Sequence, residues 1–175
     1  PDGRREVCDS ARCDGLRSLF WSSSERALFM VQRTGWADSQ TALLRWDIGD
    51  SAPKEVLLSD DVFVGCAANA NELICGREGA TRPRRLIAID MRTGRERVIH
   101  DPNPHLANIR YGFVQRFQLR LANGVESFAD LVLPPDHRSG EQHPLIVVQY
   151  RSRGFLRGGT GDEVPIQPLA ARVFA

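Results

Sequence analysis

The residues of this chain that could do chemistry rarely stand at the spacing that a catalytic site requires. The sequence contains no G-x-S-x-G turn of the kind that carries a hydrolase nucleophile. Ser152 has Gly154 on one side, but Tyr150 stands where the other glycine should be, so we do not expect Ser152 to be a nucleophile. Residues 158–161 lack the Lys-Ser/Thr pair of a phosphate-binding loop and the third glycine of a dinucleotide fingerprint. We therefore predict no cofactor.

The histidines do not have the spacing of a recognised metal motif either. None belongs to an H-E-x-x-H or comparable arrangement, and all of them fall near breaks or loops, at His100, His105, His137 and His143. A catalytic histidine of a hydrolase fold should follow its nucleophile in the chain, so none of the four is a good candidate. The sequence predicts no metal site.

The cysteines form two local pairs, Cys8 with Cys13 and Cys66 with Cys75. Cys66 and Cys75 flank a short polar turn, and residues opposed across antiparallel strands lie within disulfide reach. The alternative is that the cysteines are small buried apolar residues. Disulfides would indicate an oxidising compartment such as a bacterial periplasm, so we expect an exported protein, with a cytoplasmic one as the alternative.

Composition limits the partners. The chain has 23 Lys+Arg against 22 Asp+Glu, a net charge of +1, and this balance provides no basic stripe for a phosphate backbone. We expect no nucleic-acid partner. No apolar run approaches the roughly 20 residues that span a bilayer, and we identify no signal peptide in the polar first residues. The oligomeric state is not predicted by the sequence.

Two stretches of similar design follow one another. Strand-like runs occur at residues 16–21, 27–32, 42–47 and 56–58, and again at residues 62–64, 73–75, 86–90 and 98–99. Trp46-Asp47 aligns with Ile89-Asp90 at an offset of 43 residues, which matches a four-stranded propeller blade. Each third strand runs into a turn that contains Asp and Gly. A generic antiparallel meander is the alternative.

The pattern changes at residues 101–104, where two prolines prevent both a helix and a central strand. We predict propeller blades over residues 1–104 and the start of an α/β-hydrolase domain over residues 105–175. In the second part, strands over 112–121 and 125–133 flank the hairpin signal Asn123-Gly124, an apolar run at 143–150 forms a buried strand, and a helix begins at Pro168. The predicted fold class is mixed: the last blades of an all-β propeller, then the first strands and helix of an α/β domain.

Together these features resemble the prolyl oligopeptidase family of serine peptidases. The resemblance rests on two blades, a Pro-rich hinge, a hairpin that ends in Leu-Pro-Pro, the run Pro-Leu-Ile-Val-Val-x-Tyr, and the helix that begins Leu-Ala-Ala-Arg. It spans nearly the whole chain and implies a propeller that caps an α/β-hydrolase domain. The family typically has Gly where this chain has Val173, a departure that bears on local packing.

The resemblance also implies roles for individual residues. In the family, the Tyr that ends this strand donates its hydroxyl to the oxyanion of the tetrahedral intermediate, and Tyr150 matches it. A Tyr whose ring closes the core is the alternative. The loop from 151 to 165 is similar to that of the lasso peptide isopeptidase branch, which hydrolyses the amide that closes the ring of a threaded peptide. Arg151, Arg153 and Arg157 would then bind peptide substrate, unless they pair with the acidic residues of their own loop.

The predicted function is therefore that of a serine-type peptidase, specifically a lasso peptide isopeptidase, with a peptide as its partner. A general oligopeptidase, or a dipeptidyl or acylaminoacyl peptidase of the same family, is the first alternative. A non-catalytic propeller module that binds a protein or a peptide is an alternative of another class. The resemblance places Ser, Asp and His of the catalytic triad beyond Ala175, so we expect these 175 residues alone to be inactive.

Overall fold

The structure is a computed structural model and describes residues 5–22, 24–148, 154–155 and 164–175. These residues form ten strands and one α-helix, with three short 3-10 turns between them. The strands are β1 (Leu16–Ser22), β2 (Ala27–Thr34), β3 (Gln40–Asp47), β4 (Lys54–Ser59), β5 (Val62–Asn69), β6 (Glu72–Gly79), β7 (Arg82–Asp90), β8 (Glu96–His100), β9 (Phe113–Arg120) and β10 (Glu126–Leu133), and the helix is α1 (Ile166–Ala170).

Two four-stranded sheets follow one another, with the strand orders β1-β2-β3-β4 and β5-β6-β7-β8. Both therefore have the meander order of a propeller blade, as the sequence predicts. The outer hairpins turn on glycines with positive φ, Gly49 at 95° and Gly94 at 71°. Gly94 N–H donates to Asp90 O at 2.8 Å, and a Cβ at Gly94 would lie 2.6 Å from Val56 O, so no other residue fits there.

One apolar core joins the inner strands of the two sheets. Phe29 and Leu43 come from the first sheet, Leu73 and Ile89 come from the second, and all four side chains are fully buried. A second, smaller cluster covers the opposite face of the first sheet around Met30 and Leu44. Because β2 and β3 bury residues on both faces, they read as continuous apolar runs rather than as an alternation.

The described contacts divide the chain into two compact units. The first unit contains the chain through Gly76 together with Leu86–Ile99, and the second contains Arg77–Arg85 and the chain from His100 onward. The boundary after residue 104 stays a prediction.

The second unit has its own small core. β9 and β10 pair in register as a hairpin, and Gly124 lies in the turn with φ of 82°. Val132 of β10 packs with Ala170 of α1, and the partly buried side chains around them include Ala80 and Ile166. The helix begins two residues earlier than the sequence suggests, with Pro168 inside its first turn, where its missing N–H removes no helical bond.

The apolar run at residues 144–148 is not a regular strand in the described residues. Ile146 N–H donates to Ala175 O at 2.7 Å and Ala175 N–H donates to Pro144 O at 2.9 Å, which is the pattern of one parallel bridge between Leu145 and Ala175. Within the part of the chain that the structure describes, the run therefore pairs at one point, and Leu145 and Val147 are largely exposed. None of the helices in the described ranges is long and apolar enough to cross a membrane.

Candidate functional site

The residues predicted to contact substrate, Tyr150, Arg151, Arg153 and Arg157, lie outside the described residues. The structure does describe two residues inside that arginine-containing segment, Gly154 and Phe155, together with the chain that leads into it through Val148. The structure therefore shows which residues contact Gly154 and Phe155.

Phe155 packs against the ring of Tyr111. The two ring centroids are 5.4 Å apart and the rings are nearly perpendicular, the edge-to-face arrangement that aromatic pairs prefer. The Tyr111 hydroxyl donates to Leu106 O at 3.1 Å, which fixes the ring from its other end. Burial raises the pKa of Tyr111 above its ordinary value, because the charged phenolate would lose its hydration.

Gly154 lies close to a second side chain of the same unit, Glu78. Its φ is 78°, and a Cβ built there would lie 2.5 Å from Glu78 Oε2 and 3.0 Å from Glu78 Cβ. Glu78 is itself fixed by Arg84, whose Nε lies 3.2 Å from Glu78 Oε1. Position 154 thus requires glycine for its backbone and for its space. Gly154 and Phe155 are thus each in contact with a side chain of the same unit, Glu78 and Tyr111.

The short helix is tied to the β9–β10 hairpin by another close approach. Gly112 N–H donates to Gln167 Oε1 at 2.8 Å, and Gln167 is buried. A Cβ at Gly112 would lie 2.5 Å from Leu133 O and 3.2 Å from Ala170 Cβ. Only glycine allows the chain before β9 to pass between the end of β10 and α1.

Both predicted cysteine pairs are disulfides in this structure. The Cα atoms of Cys66 and Cys75 are 4.2 Å apart across the β5–β6 hairpin, and those of Cys8 and Cys13 are 6.3 Å apart. None of the four cysteines is a free thiol. The compartment that the disulfides suggest stays a prediction.

Two histidines that the sequence did not connect come together in the loop after β10. His137 Nδ1 lies 2.8 Å from His143 Nε2, and the Glu141 carboxylate lies 4.0 Å from that same His143 nitrogen. The sequence predicts no metal site because H-x-x-x-E-x-H is not a helical metal motif. The turn-forming residues between the histidines were the available signal, since a tight loop brings side chains six positions apart together.

No protein-family profile matches this chain. A curated relative, the lasso peptide isopeptidase AtxE2 of Asticcacaulis excentricus, is 41% identical over 174 residues. The match covers 99% of this chain and 25% of that protein, so the chain spans about a quarter of the length of the relative it matches.

Solved structures give the same result. The AtxE2 isopeptidase, in its apo form and as a serine-to-alanine variant with Astexin3-dC4 bound, matches 99% of this chain and 26% of its own with a TM-score of 0.93. An acylaminoacyl peptidase of Pyrococcus horikoshii matches 91% of this chain and 24% of its own at 18% identity and a TM-score of 0.62, which supports the fold alone. These similarities confirm the resemblance to the prolyl oligopeptidase family, and to its lasso peptide isopeptidase branch, that the sequence indicates.

Proposed function

We propose that this chain is part of a serine peptidase that hydrolyses the isopeptide bond of threaded lasso peptides. The observation that carries the proposal is the 41% identity and TM-score of 0.93 to a lasso peptide isopeptidase across 99% of the chain. The acylaminoacyl peptidase of the same general architecture reaches only 18% identity. The similarity therefore favours the isopeptidase over a general oligopeptidase.

In this proposal Tyr150 is the oxyanion donor. Hydrolysis of an amide passes through a tetrahedral intermediate whose oxygen carries a negative charge, and a hydroxyl aimed at that oxygen stabilises charge that exists only near the transition state. Tyr150 follows the apolar run whose start is fixed by the bridge between Leu145 and Ala175. The Ser, Asp and His of the triad would come from the rest of the full-length protein.

Arg151, Arg153 and Arg157 are proposed to bind the peptide ring. A guanidinium can donate two parallel hydrogen bonds to a carboxylate, or single ones to backbone carbonyls, and a threaded ring offers both. The identity to the isopeptidase across 99% of the chain supports this role, because it includes the part of the sequence that contains the three arginines.

The test uses the full-length protein and the change Tyr150→Phe. We expect kcat on a threaded lasso peptide to fall by roughly 10²- to 10³-fold with little change in KM, because the lost hydrogen bond forms mainly in the transition state. The chain has one other tyrosine, and Tyr111→Phe is the matched control: it removes the hydroxyl bonded to Leu106 O but keeps the ring against Phe155. Full activity of the Tyr150→Phe protein would eliminate the oxyanion role.

Substrate comparison separates the candidate functions. An isopeptidase should open a threaded ring, and replacing the three arginines together by glutamine should raise KM for that substrate. The exposed Arg17 on β1 provides the matched control, Arg17→Gln. Cleavage of linear peptides with no action on rings would favour a general oligopeptidase, and binding without any hydrolysis would favour a propeller binding module.

Export is part of the proposal, and recovery of the native protein in the cytoplasmic fraction of its cells would contradict it.

A further inference from the structure

The loop between β10 and residue 144 places three metal-ligating side chains together. His137 Nδ1 and His143 Nε2 are 2.8 Å apart, Glu141 provides a carboxylate oxygen 4.0 Å from His143 Nε2, and all three ligand atoms lie within 4.8 Å of one another. The rings meet edge to face with centroids 5.0 Å apart. Two imidazoles and one carboxylate form a recurring ligand set for divalent transition metals.

The backbone of the loop fixes this arrangement. His137 N–H donates to Pro134 O and Glu141 N–H donates to Arg138 O, each at 3.0 Å, so two consecutive tight turns precede His143. Arg138 N–H donates at 2.9 Å to Glu141 Oε2, the same oxygen that lies 4.0 Å from His143 Nε2, and so orients the carboxylate next to the imidazole. Hydrogen bonds of this kind to a metal ligand are what holds a ligand set in place before the ion binds.

The distances require only small adjustments to accept an ion. Two ligand atoms at about 2.0–2.1 Å from a tetrahedral zinc lie roughly 3.3 Å apart. The His137–His143 separation of 2.8 Å must open slightly and the Glu141–His143 separation of 4.0 Å must close slightly. Rotation of the half-exposed Glu141 side chain and of the two rings can supply both changes.

Among the residues that the structure describes, the nearest further ligand types in the sequence and the thiols are already engaged elsewhere. Asp136, adjacent to His137, already forms an ion pair with Arg110. The cysteines, which would be stronger zinc ligands, are all in disulfides.

We propose that His137, Glu141 and His143 bind a divalent transition-metal ion of the Zn²⁺ type that fixes the loop joining β10 to residues 144–148. Three protein ligands leave one tetrahedral position for water. The ion would act as a structural tie, because all three ligands come from one loop of seven residues.

The test is titration of the full chain, without a polyhistidine tag and after dialysis against a chelator, with ZnCl₂ by isothermal calorimetry. We expect one ion per chain, and His143→Ala should weaken binding by roughly 10-fold or more, since even residues that only orient a ligand typically cost 10- to 100-fold. The chain offers a matched control in its other two histidines, both exposed: the double change His100→Ala and His105→Ala should leave the affinity unchanged.

A second variant and a second measurement distinguish loss of a metal ligand from misfolding of the variant. If His143→Ala alters the far-UV circular dichroism of the metal-free chain, Glu141→Gln is the variant to use, because the Glu141 side chain is half-exposed and loss of its charge should also weaken Zn²⁺ binding. Imidazole ¹⁵N resonances of His137 and His143 should shift at one equivalent of Zn²⁺ while those of His100 and His105 do not. Unshifted resonances of the first pair, or loss of binding in the control variant, would overturn the proposal.

Discussion

The two four-stranded sheets have the same strand order, and their third strands align at an offset of 43 residues, yet different interactions stabilise the two sheets. In the first sheet, Arg45 on β3 forms ion pairs with Asp47 and Glu25. The equivalent position on β7 is Ala88, which is buried, and the second sheet instead carries the disulfide between Cys66 and Cys75. The first sheet is stabilised by partly buried ion pairs, and the second by a disulfide together with the exposed ion pair between Arg97 and Glu72.

The aspartate that ends each third strand shows the same contrast. Asp47 accepts hydrogen bonds from Arg45 Nε at 2.9 and 3.0 Å, and these bonds are the main reason that its pKa is lowered. Asp90 accepts from the hydroxyl of Thr93 at 2.8 Å and from its N–H at 2.7 Å, and these bonds lower its pKa in turn. The repeat thus preserves the position of the carboxylate and the turn geometry, but not the identity of the donor.

Removing the disulfide should have the largest effect on this comparison. We expect the double change Cys66→Ala and Cys75→Ala to lower the free energy of unfolding by about 2–3 kcal/mol, since a short loop is no longer closed in the unfolded chain. Urea unfolding followed by circular dichroism measures the change. The control is the double change Cys8→Ala and Cys13→Ala. These residues precede β1, and their disulfide closes a shorter loop, so the free energy of unfolding should fall by less. Equal midpoints for the Cys66/Cys75 variant and the unmodified chain would show that the hairpin alone holds the second sheet.

Removing the charged tie of the first sheet should cost less. Arg45→Met keeps much of the apolar contact with the Phe29 ring, which lies 5.6 Å from the guanidinium carbon, but leaves Asp47 and Glu25 without their donor. We expect a loss of about 1–2 kcal/mol, because both carboxylates are partly exposed and regain water. All three tryptophans precede β4, so their fluorescence reports on this sheet. Arg45→Lys keeps the charge but not the two-pronged hydrogen bond, so its free energy of unfolding should lie between those of the unmodified chain and of Arg45→Met.

The smallest expected effect concerns the second carboxylate and its pH dependence. Thr93→Val removes the hydroxyl donor while keeping the side-chain shape, so the pKa of Asp90 should rise toward its ordinary value, with that of Asp47 unchanged. A lowered folded-state pKa contributes stability that is present above about pH 4 and is lost as the pH falls through the folded value. Carboxyl ¹³C titration by NMR measures both groups. An unchanged Asp90 titration would mean that the backbone N–H groups alone set its pKa.

The strands were predictable because their signals are local. Every predicted run in the two blades and the β9–β10 hairpin has a strand at its place, and the turns at Asp47, Asp90 and Asn123 follow from residues that favour positive φ nearby. Boundaries were less predictable: β7 begins at Arg82, although the apolar run begins only at Leu86. Polar residues at the end of a strand form backbone hydrogen bonds like the rest of the strand, but they do not belong to the apolar run from which the strand is predicted.

The contacts that hold the candidate site were not predictable, because they join residues far apart in sequence. The contact of Phe155 with Tyr111 and the fit of Gly154 against Glu78 depend on how a loop folds back. The cluster of His137, Glu141 and His143 depends on two consecutive turns whose geometry no short motif encodes. The roles of Tyr150 and the three arginines stay predictions that rest on the resemblance.

The bridge between Leu145 and Ala175 has a consequence for the order of folding. All seven pairings within the two four-stranded sheets and the β9–β10 hairpin join neighbours in the chain, so each closes a short loop. A parallel pair instead needs a crossover, here the stretch that contains α1, and the entropy of closing that longer loop must be lost before the bridge contributes anything. We therefore expect the hairpins to form before the parallel pairing at residue 145.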